Sequence, residues 1–279
     1  MKVEANAKIN LSLDVVRRRN DGYHDLRMIM LPLTLHDVLE VTPAKEDTLV
    51  CSDPKVPLDE RNLIFKALAY LRREWGMDAH FHIVLEKHIP MEAGLAGGSA
   101  DAGAIIRAAA VLAGIDAPLA DIAKGAKQVG ADVPFCVLNQ SARVEGIGEQ
   151  VTPIRDTCDF EILLVKPNSG VSTGQAYQML DFEKVTHPDI DLVERCLVQD
   201  DYAGLCRVLG NTLEYSAFLL NPQVRTLKES LVAQGADGVL MSGSGSTVFA
   251  IGRDHEQLCA WKEHYRRMGC FAQLVKRKG

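Results

Sequence analysis

The sequence has no long apolar run, no basic excess and no paired cysteine motif, and each absence removes a class of function. No stretch nears 18 uninterrupted apolar residues, and the opening residues Met1-Lys2-Val3-Glu4-Ala5-Asn6 lead into no apolar segment of signal-peptide length. A cytoplasmic protein with no membrane partner is therefore expected. Thirty-one Lys and Arg stand against 37 Asp and Glu, a formal net charge of −6. That leaves no bulk basic field to draw in nucleic acid, although a local basic pocket for phosphate is permitted. The seven cysteines (Cys51, Cys136, Cys158, Cys196, Cys206, Cys259 and Cys270) are odd in number and scattered, with no C-x-x-C and no zinc-finger spacing. Reduced thiols, mostly buried as small hydrophobes, are expected. His80 and His82 would share one face of a strand, but no third metal ligand follows nearby. A solvent-facing pair is the simpler reading.

What is present is ordinary globular material. The chain has 279 residues, 47% hydrophobic and 24% charged, enough for a real core and for about two domains at roughly 150 residues each. No repeat of 20–50 residues occurs. Alternation predicts strands over 7–15, 28–35, 81–86, 161–166, 239–241, 247–251 and 271–275. Helical periodicity, caps and breakers predict a helix from Asn62 to about Trp75, then helices over 99–112, 118–129, 188–209, 214–220, 222–234 and 256–268. Gly146, Gly148 and Pro153 interrupt the pattern, so two domains are expected, 1–153 and 154–279, in an α+β arrangement of helices on antiparallel or mixed sheets.

Four segments carry chemistry. Pro90-Met-Glu-Ala-Gly-Leu-Ala-Gly-Gly-Ser-Ala-Asp-Ala runs from a glycine-rich loop straight into a helix opened near Ser99. Glycines let backbone approach an anion, and a helix N-terminus offers unpaired amides and a positive dipole end. Neither a Walker A loop nor G-x-G-x-x-G fits the spacing, and a tight packing turn would read the same way. Lys8 and Asn10 share a strand face amid apolar neighbours, an arrangement suited to an anionic substrate if they point inward, and otherwise a solvated edge. In Gly130-Ala-Asp132-Val-Pro134-Phe135 a carboxylate stands between a glycine turn and what reads as an apolar strand, either as a turn cap or as a functional acid. Met241-Ser-Gly-Ser-Gly is a second glycine loop between two strands, which a plain hairpin would explain equally well.

Taken in order, A-x-A-K-I-N-L, P-x-x-x-G-L-x-G-G-S-x-D-A, G-A-D-V-P-F and M-S-G-S-G resemble the GHMP small-molecule kinases, with matches from residue 5 to 252. The run Arg18-Arg19-Asn20-Asp21-Gly22-Tyr23-His24, the segment 143–149 and Pro167-x-x-x-Val171-Ser172-Thr173 are most similar to the branch that phosphorylates the 2-hydroxyl of 4-diphosphocytidyl-2-C-methyl-D-erythritol for isoprenoid precursors. The resemblance implies an N-terminal domain like the second domain of ribosomal protein S5, a ferredoxin-like C-terminal domain, and a cleft between them for ATP and substrate. It implies that Gly94, Leu95, Gly97, Gly98 and Ser99 cradle the ATP phosphates, with Ser99 a Mg²⁺ contact, and that Asn62 and Lys87 lie near the adenosine. It further implies Lys8 and Asp132 as catalytic groups, and Asn10, Tyr23, His24, Thr173 and Tyr177 as substrate contacts. The partner is then a small molecule, a cytidine diphosphate-linked methylerythritol, and the protein a monomer or homodimer. Three departures stand out: Asn6 where proline is common, Ala96 for a frequent glycine and Ala100 for a frequent hydroxyl. Ala96 matters only if its position needs positive φ. The rivals are another kinase of the superfamily, of homoserine or mevalonate type, and a catalytically silent nucleotide-binding protein of the same fold. The Asp21-Gly-Tyr-His24 segment argues against the first, and intact Lys8, Ser99 and Asp132 against the second.

Overall fold

In the computed structural model, which describes residues 1–279, two long strands form the backbone of the first half. β1 (Lys2–Arg18) and β2 (His24–Ala44) are an antiparallel hairpin turned at Asp21-Gly22, with Gly22 at φ 88°. Both outrun the expected 7–15 and 28–35, because the apolar alternation continues through Leu39 and Val41, which are fully buried. Along its other edge β2 pairs first with β5 (Ala142–Gly146) and then with β4 (His80–Glu86). Beyond them, β3 (Thr48–Cys51) and β6 (Gln150–Pro153) complete a six-stranded sheet. His80 and His82 lie outward on β4, where His82 hydrogen-bonds the Thr48 hydroxyl.

Four helices cover this sheet: α1 (Leu63–Trp75), α2 (Gly97–Leu112), α3 (Leu119–Gly125) and α4 (Val133–Leu138). The expected helix over 118–129 is α3 followed by a 3-10 turn, Ala126–Gln128. The segment after Asp132, expected as a strand, is α4. Six apolar residues do not distinguish the two by periodicity, and Pro134 in the first turn suits a helix. α2 lies on β1 and β2 with α1 and α4 at its flanks, and its run of alanines lets it sink into the core. At Gly103 the backbones of α2 and α4 meet; a Cβ there would stand 2.6 Å from the Cys136 carbonyl carbon.

The chain changes sheets between Pro153 and Glu161. β7 (Glu161–Lys166), β8 (Gly238–Met241), β9 (Val248–Gly252) and β10 (Phe271–Val275) form an antiparallel sheet ordered β10-β7-β9-β8. It carries α9 (Pro222–Ala233) and α10 (His255–Arg267), reached through α5 (Thr173–Gln178), α6 (Ile190–Val198), α7 (Tyr202–Val208) and α8 (Glu214–Leu220). The single helix expected over 188–209 is broken between α6 and α7. Asp200 is left-handed at φ 57°, and the Asp201 side chain accepts the Gly204 N–H to start a new helix. No helix is long and apolar enough to cross a membrane.

One edge of β1 has no strand partner and is covered by three loops from elsewhere in the chain. The Lys8 N–H donates to the Leu95 carbonyl (3.1 Å), the Asn10 N–H to Ser242 Oγ (3.2 Å), and the Leu13 N–H to the Gly210 carbonyl (2.9 Å). Both glycine loops are thereby fixed against the strand that carries Lys8 and Asn10.

Candidate active site

A cleft of about 730 Å³ lies along this junction. Its floor is the loop from β4 into α2. Ala100 makes the first intrahelical bond of α2, to the Ala96 carbonyl (2.8 Å), so the N–H groups of Gly97, Gly98 and Ser99 have no acceptor within the helix. All three residues line the cleft, presenting the positive end of α2 to it. The glycines serve packing as well as access. A Cβ on Gly94 (φ 71°) would sit 2.1 Å from the Ser242 carbonyl oxygen, so here the two glycine loops touch backbone to backbone. A Cβ on Gly97 would press on Ile89 at 3.2 Å. Ala96 does occupy a left-handed position (φ 57°, ψ 35°).

Lys8 and Asn10 point inward and are buried. The Lys8 ammonium donates to Asn10 Oδ1 (2.6 Å) and to the Gly94 carbonyl (3.1 Å), and lies 3.6 Å from Asp132 Oδ2. Asn10 is held in turn by a contact from Nδ2 to the Met28 sulfur at 3.0 Å. Asp132 occupies the N-cap position of α4 yet makes no side-chain cap bond. Its carboxylate is therefore not a turn cap; it faces Lys8 and the cleft, about one-third exposed (31%). The cleft thus contains a fixed cation next to a carboxylate with room for a reacting hydroxyl. Asn6, at the proline position, donates to the Leu33 carbonyl and accepts from Asn139, so its amide is spent on tying β1 to its neighbours.

The other end of the cleft is aromatic. Tyr23 follows an Asx turn in which Asp21 accepts its N–H, and the residue is 60% exposed. His24 opens β2 and faces the Tyr177 ring at 5.0 Å between centroids. Burial, with Arg18 second, holds His24 below the ordinary histidine range, so the ring is neutral at pH 7. Tyr177 projects from α5, which Ser172 caps. Burial, and after it the nearby Asp132 charge, push its phenol up. The Thr173 hydroxyl is hydrogen-bonded to Ser244 of the second glycine loop (2.7 Å).

Three expected contacts sit differently. Leu95 has its side chain buried in the core and meets the site only through its carbonyl. Asn62 caps α1, accepting the Ile64 N–H and donating to the Pro57 carbonyl, and it is Leu63 that lines the cleft. Lys87 lines the cleft from below, its ammonium engaged by Asp37 and Asp101. Burial alone would depress Lys87, but the Asp101 and Asp37 carboxylates outweigh it and raise its pKa. Sequence reasoning missed Phe182, whose ring stacks on His24 (6.3 Å, interplanar 22°). Its spacing of five from Tyr177 carries no helical or strand period, although an apolar aromatic in so polar a stretch was a signal.

Residues 62–140 match the GHMP kinases N terminal domain, and residues 187–267 the GHMP kinases C terminal domain. The 4-diphosphocytidyl-2-C-methyl-D-erythritol kinase of Bacillus cytotoxicus is 41% identical over 251 residues, 89% of this chain and 87% of its own. That of Geobacillus thermodenitrificans is 42% identical over 254 residues, 90% of this chain and 88% of its own. A crystal structure of 4-(cytidine 5'-diphospho)-2C-methyl-D-erythritol kinase superposes over the whole of both chains with a TM-score of 0.82 at 31% identity. A homoserine kinase from Cytophaga hutchinsonii shares the fold, with a TM-score of 0.78 at 18% identity over 99% of this chain and 94% of its own.

Proposed function

The chain belongs to the 4-diphosphocytidyl-2-C-methyl-D-erythritol kinase family of the GHMP kinases, and from that premise we propose that it transfers the γ-phosphoryl group of ATP to the 2-hydroxyl of 4-diphosphocytidyl-2-C-methyl-D-erythritol, releasing ADP. The observation that carries this reading is the Lys8–Asp132 pair, set between the exposed amides of α2 and the aromatic end of the cleft. Phosphoryl transfer asks a protein for position and charge more than for covalent chemistry. The ATP phosphates lie against the amides of Gly97, Gly98 and Ser99, and the cytidyl group lies at Tyr23, His24 and Tyr177. The acceptor hydroxyl then reaches Asp132 Oδ2, which takes its proton as the new P–O bond forms. Lys8 cannot swing away, because Asn10 and the Gly94 carbonyl hold its ammonium; it offsets negative charge on the attacking oxygen.

The residues present fit Mg²⁺ as an ion carried mainly by phosphate. Ser99 lines the cleft at the start of α2, and a single hydroxyl there suits a cation that keeps waters and phosphate oxygens as its other ligands. When bound, it would neutralise charge on the transferring phosphoryl group. At the aromatic end a neutral His24 ring offers one donor and one acceptor to a pyrimidine edge, while Tyr23 supplies a stacking face.

A coupled ADP-release assay tests the reading, with the cytidyl substrate run against homoserine, mevalonate and galactose. Turnover is expected with the cytidyl substrate alone; equal or faster turnover with another alcohol would reject the assignment.

A further inference from the structure

We infer that Asp37 is a positioning residue of the nucleotide site: it anchors the stem of the phosphate loop and, through Lys87, joins the strand that enters the loop to the helix that leaves it. The inference rests on the proposal that this loop receives ATP.

Asp37 is fully buried on β2, one residue beyond the last β2–β4 pair, Val38 with Glu86. Where that ladder stops, the Asp37 side chain takes it over. Oδ1 accepts the His88 N–H (2.5 Å) and the Ile89 N–H (2.8 Å), and Oδ2 accepts the Lys87 ammonium. One carboxylate thus holds three consecutive residues just before Pro90. The same ammonium reaches Asp101 Oδ2 (2.8 Å) near the start of α2, so a single side chain bridges both ends of the loop. The bridge lies under the phosphate site: a Cβ on Gly97 would stand 3.4 Å from the Lys87 ammonium and 3.2 Å from Ile89. The first turn of α2, with its free amides, rests on Lys87 and Ile89, two of the three residues that Asp37 holds.

The two carboxylates are not equivalent. Asp37 has three donors, two of them backbone groups that no other acceptor serves. Asp101 has Lys87 alone, and its Oδ1 is buried with no partner. Burial pushes the Asp101 carboxyl up, which favours a proton on Asp101. An amide at 101 resembles that protonated acid. An amide at 37 can still accept from the backbone through its oxygen, but it turns an NH₂ toward the Lys87 ammonium.

Steady-state kinetics of the whole protein separate these roles. Asp37→Asn should raise KM for ATP about tenfold, the scale of one hydrogen bond to a charged group. KM for the cytidyl substrate should stay within about twofold, since the aromatic end of the cleft is untouched. Asp101→Asn should raise KM for ATP by no more than about threefold, because it removes little that a protonated acid supplied. A folded Asp37→Asn protein with unchanged KM for ATP overturns the inference, as does a rise shared equally by both substrates. If the unaltered protein shows no saturation with ATP, it is the proposed function that fails instead. Should Asp37→Asn not fold, amide hydrogen exchange on the unaltered protein without nucleotide reads the anchor directly. His88 and Ile89 must then be protected like the β4 amides, and fast exchange at both refutes it.

Discussion

Ala96 is where the phosphate loop carries a side chain in a conformation that disfavours one. It is left-handed at φ 57° and ψ 35°, it stands at the N-cap of α2, and it makes no side-chain cap bond there. A left-handed L-residue costs about 1–2 kcal/mol. Glycine removes that cost, but the extra freedom of an unfolded glycine returns about 0.4–1 kcal/mol. Glycine is also a better N-cap than alanine. The net expectation for Ala96→Gly is a gain of about 1 kcal/mol. In a protein of this size that is a rise of about 2–4 °C in melting temperature. Differential scanning calorimetry measures it, with Ala96→Val as the opposite control, since a β-branched residue at positive φ is a true outlier and should lower Tm. The loop already has the shape that glycine would adopt, so KM for ATP should stay within about twofold. An Ala96→Gly protein that melts at or below the parent would refute the claim of strain. Unchanged stability with weakened ATP binding would mean that the methyl group itself holds the loop in its working shape.

Three further outcomes follow from the cleft. Asp132→Asn keeps the size of the side chain but not the proton acceptor, so kcat should fall about 10²–10⁴-fold with KM for ATP nearly unchanged; retained turnover in a stopped ADP-release assay would leave Asp132 a merely electrostatic group. Tyr23→Ala should raise KM for the cytidyl substrate at least several-fold, given stacking of about 1–3 kcal/mol per base, while KM for ATP stays put. Because burial lowers the His24 pKa, its proton arrives only below the ordinary value of about 6.5. KM for the cytidyl substrate should therefore be flat above that pH and rise as His24 protonates below it, and a His24→Gln protein should show no such limb.

The site was legible where its chemistry coincided with a short period. Lys8 and Asn10, two apart in an apolar strand, must share a face, and the structure turns that face inward. Thr173 and Tyr177, four apart, have the spacing of one helix face, and in the structure α5 carries both, with Tyr177 against His24. In Leu-Thr-Leu-His-Asp-Val-Leu-Glu-Val the period of two puts Asp37 on the face of Leu33, Leu35, Leu39 and Val41, so an acid at an apolar position was the signal, but nothing in the sequence told what it holds. Its three donors come from residues 87–89, which no local pattern links to it. Phe182 was missed for the same reason, since it reaches His24 from a turn rather than from a periodic element. Among the fold elements, β5 and β6 went unseen because the glycines around them read as punctuation, while their pairing depends on the distant residues 26–30 of β2.

The edge of β1 that is covered by loops rather than by a strand has a consequence for synthesis. Ribosomes deliver the β1–β2 hairpin first, and its internal pairing is local enough to form at once. The Asn10 N–H, however, waits for a hydroxyl 232 residues later in the chain. Leu13 waits almost as long for Gly210 and Thr212. Until those segments emerge, the growing chain displays a bare strand edge flanked by apolar residues, which is a template for pairing with a neighbouring chain. The N-terminal half on its own therefore has both an unfinished catalytic centre and an adhesive border, and the last third of translation completes the one by covering the other.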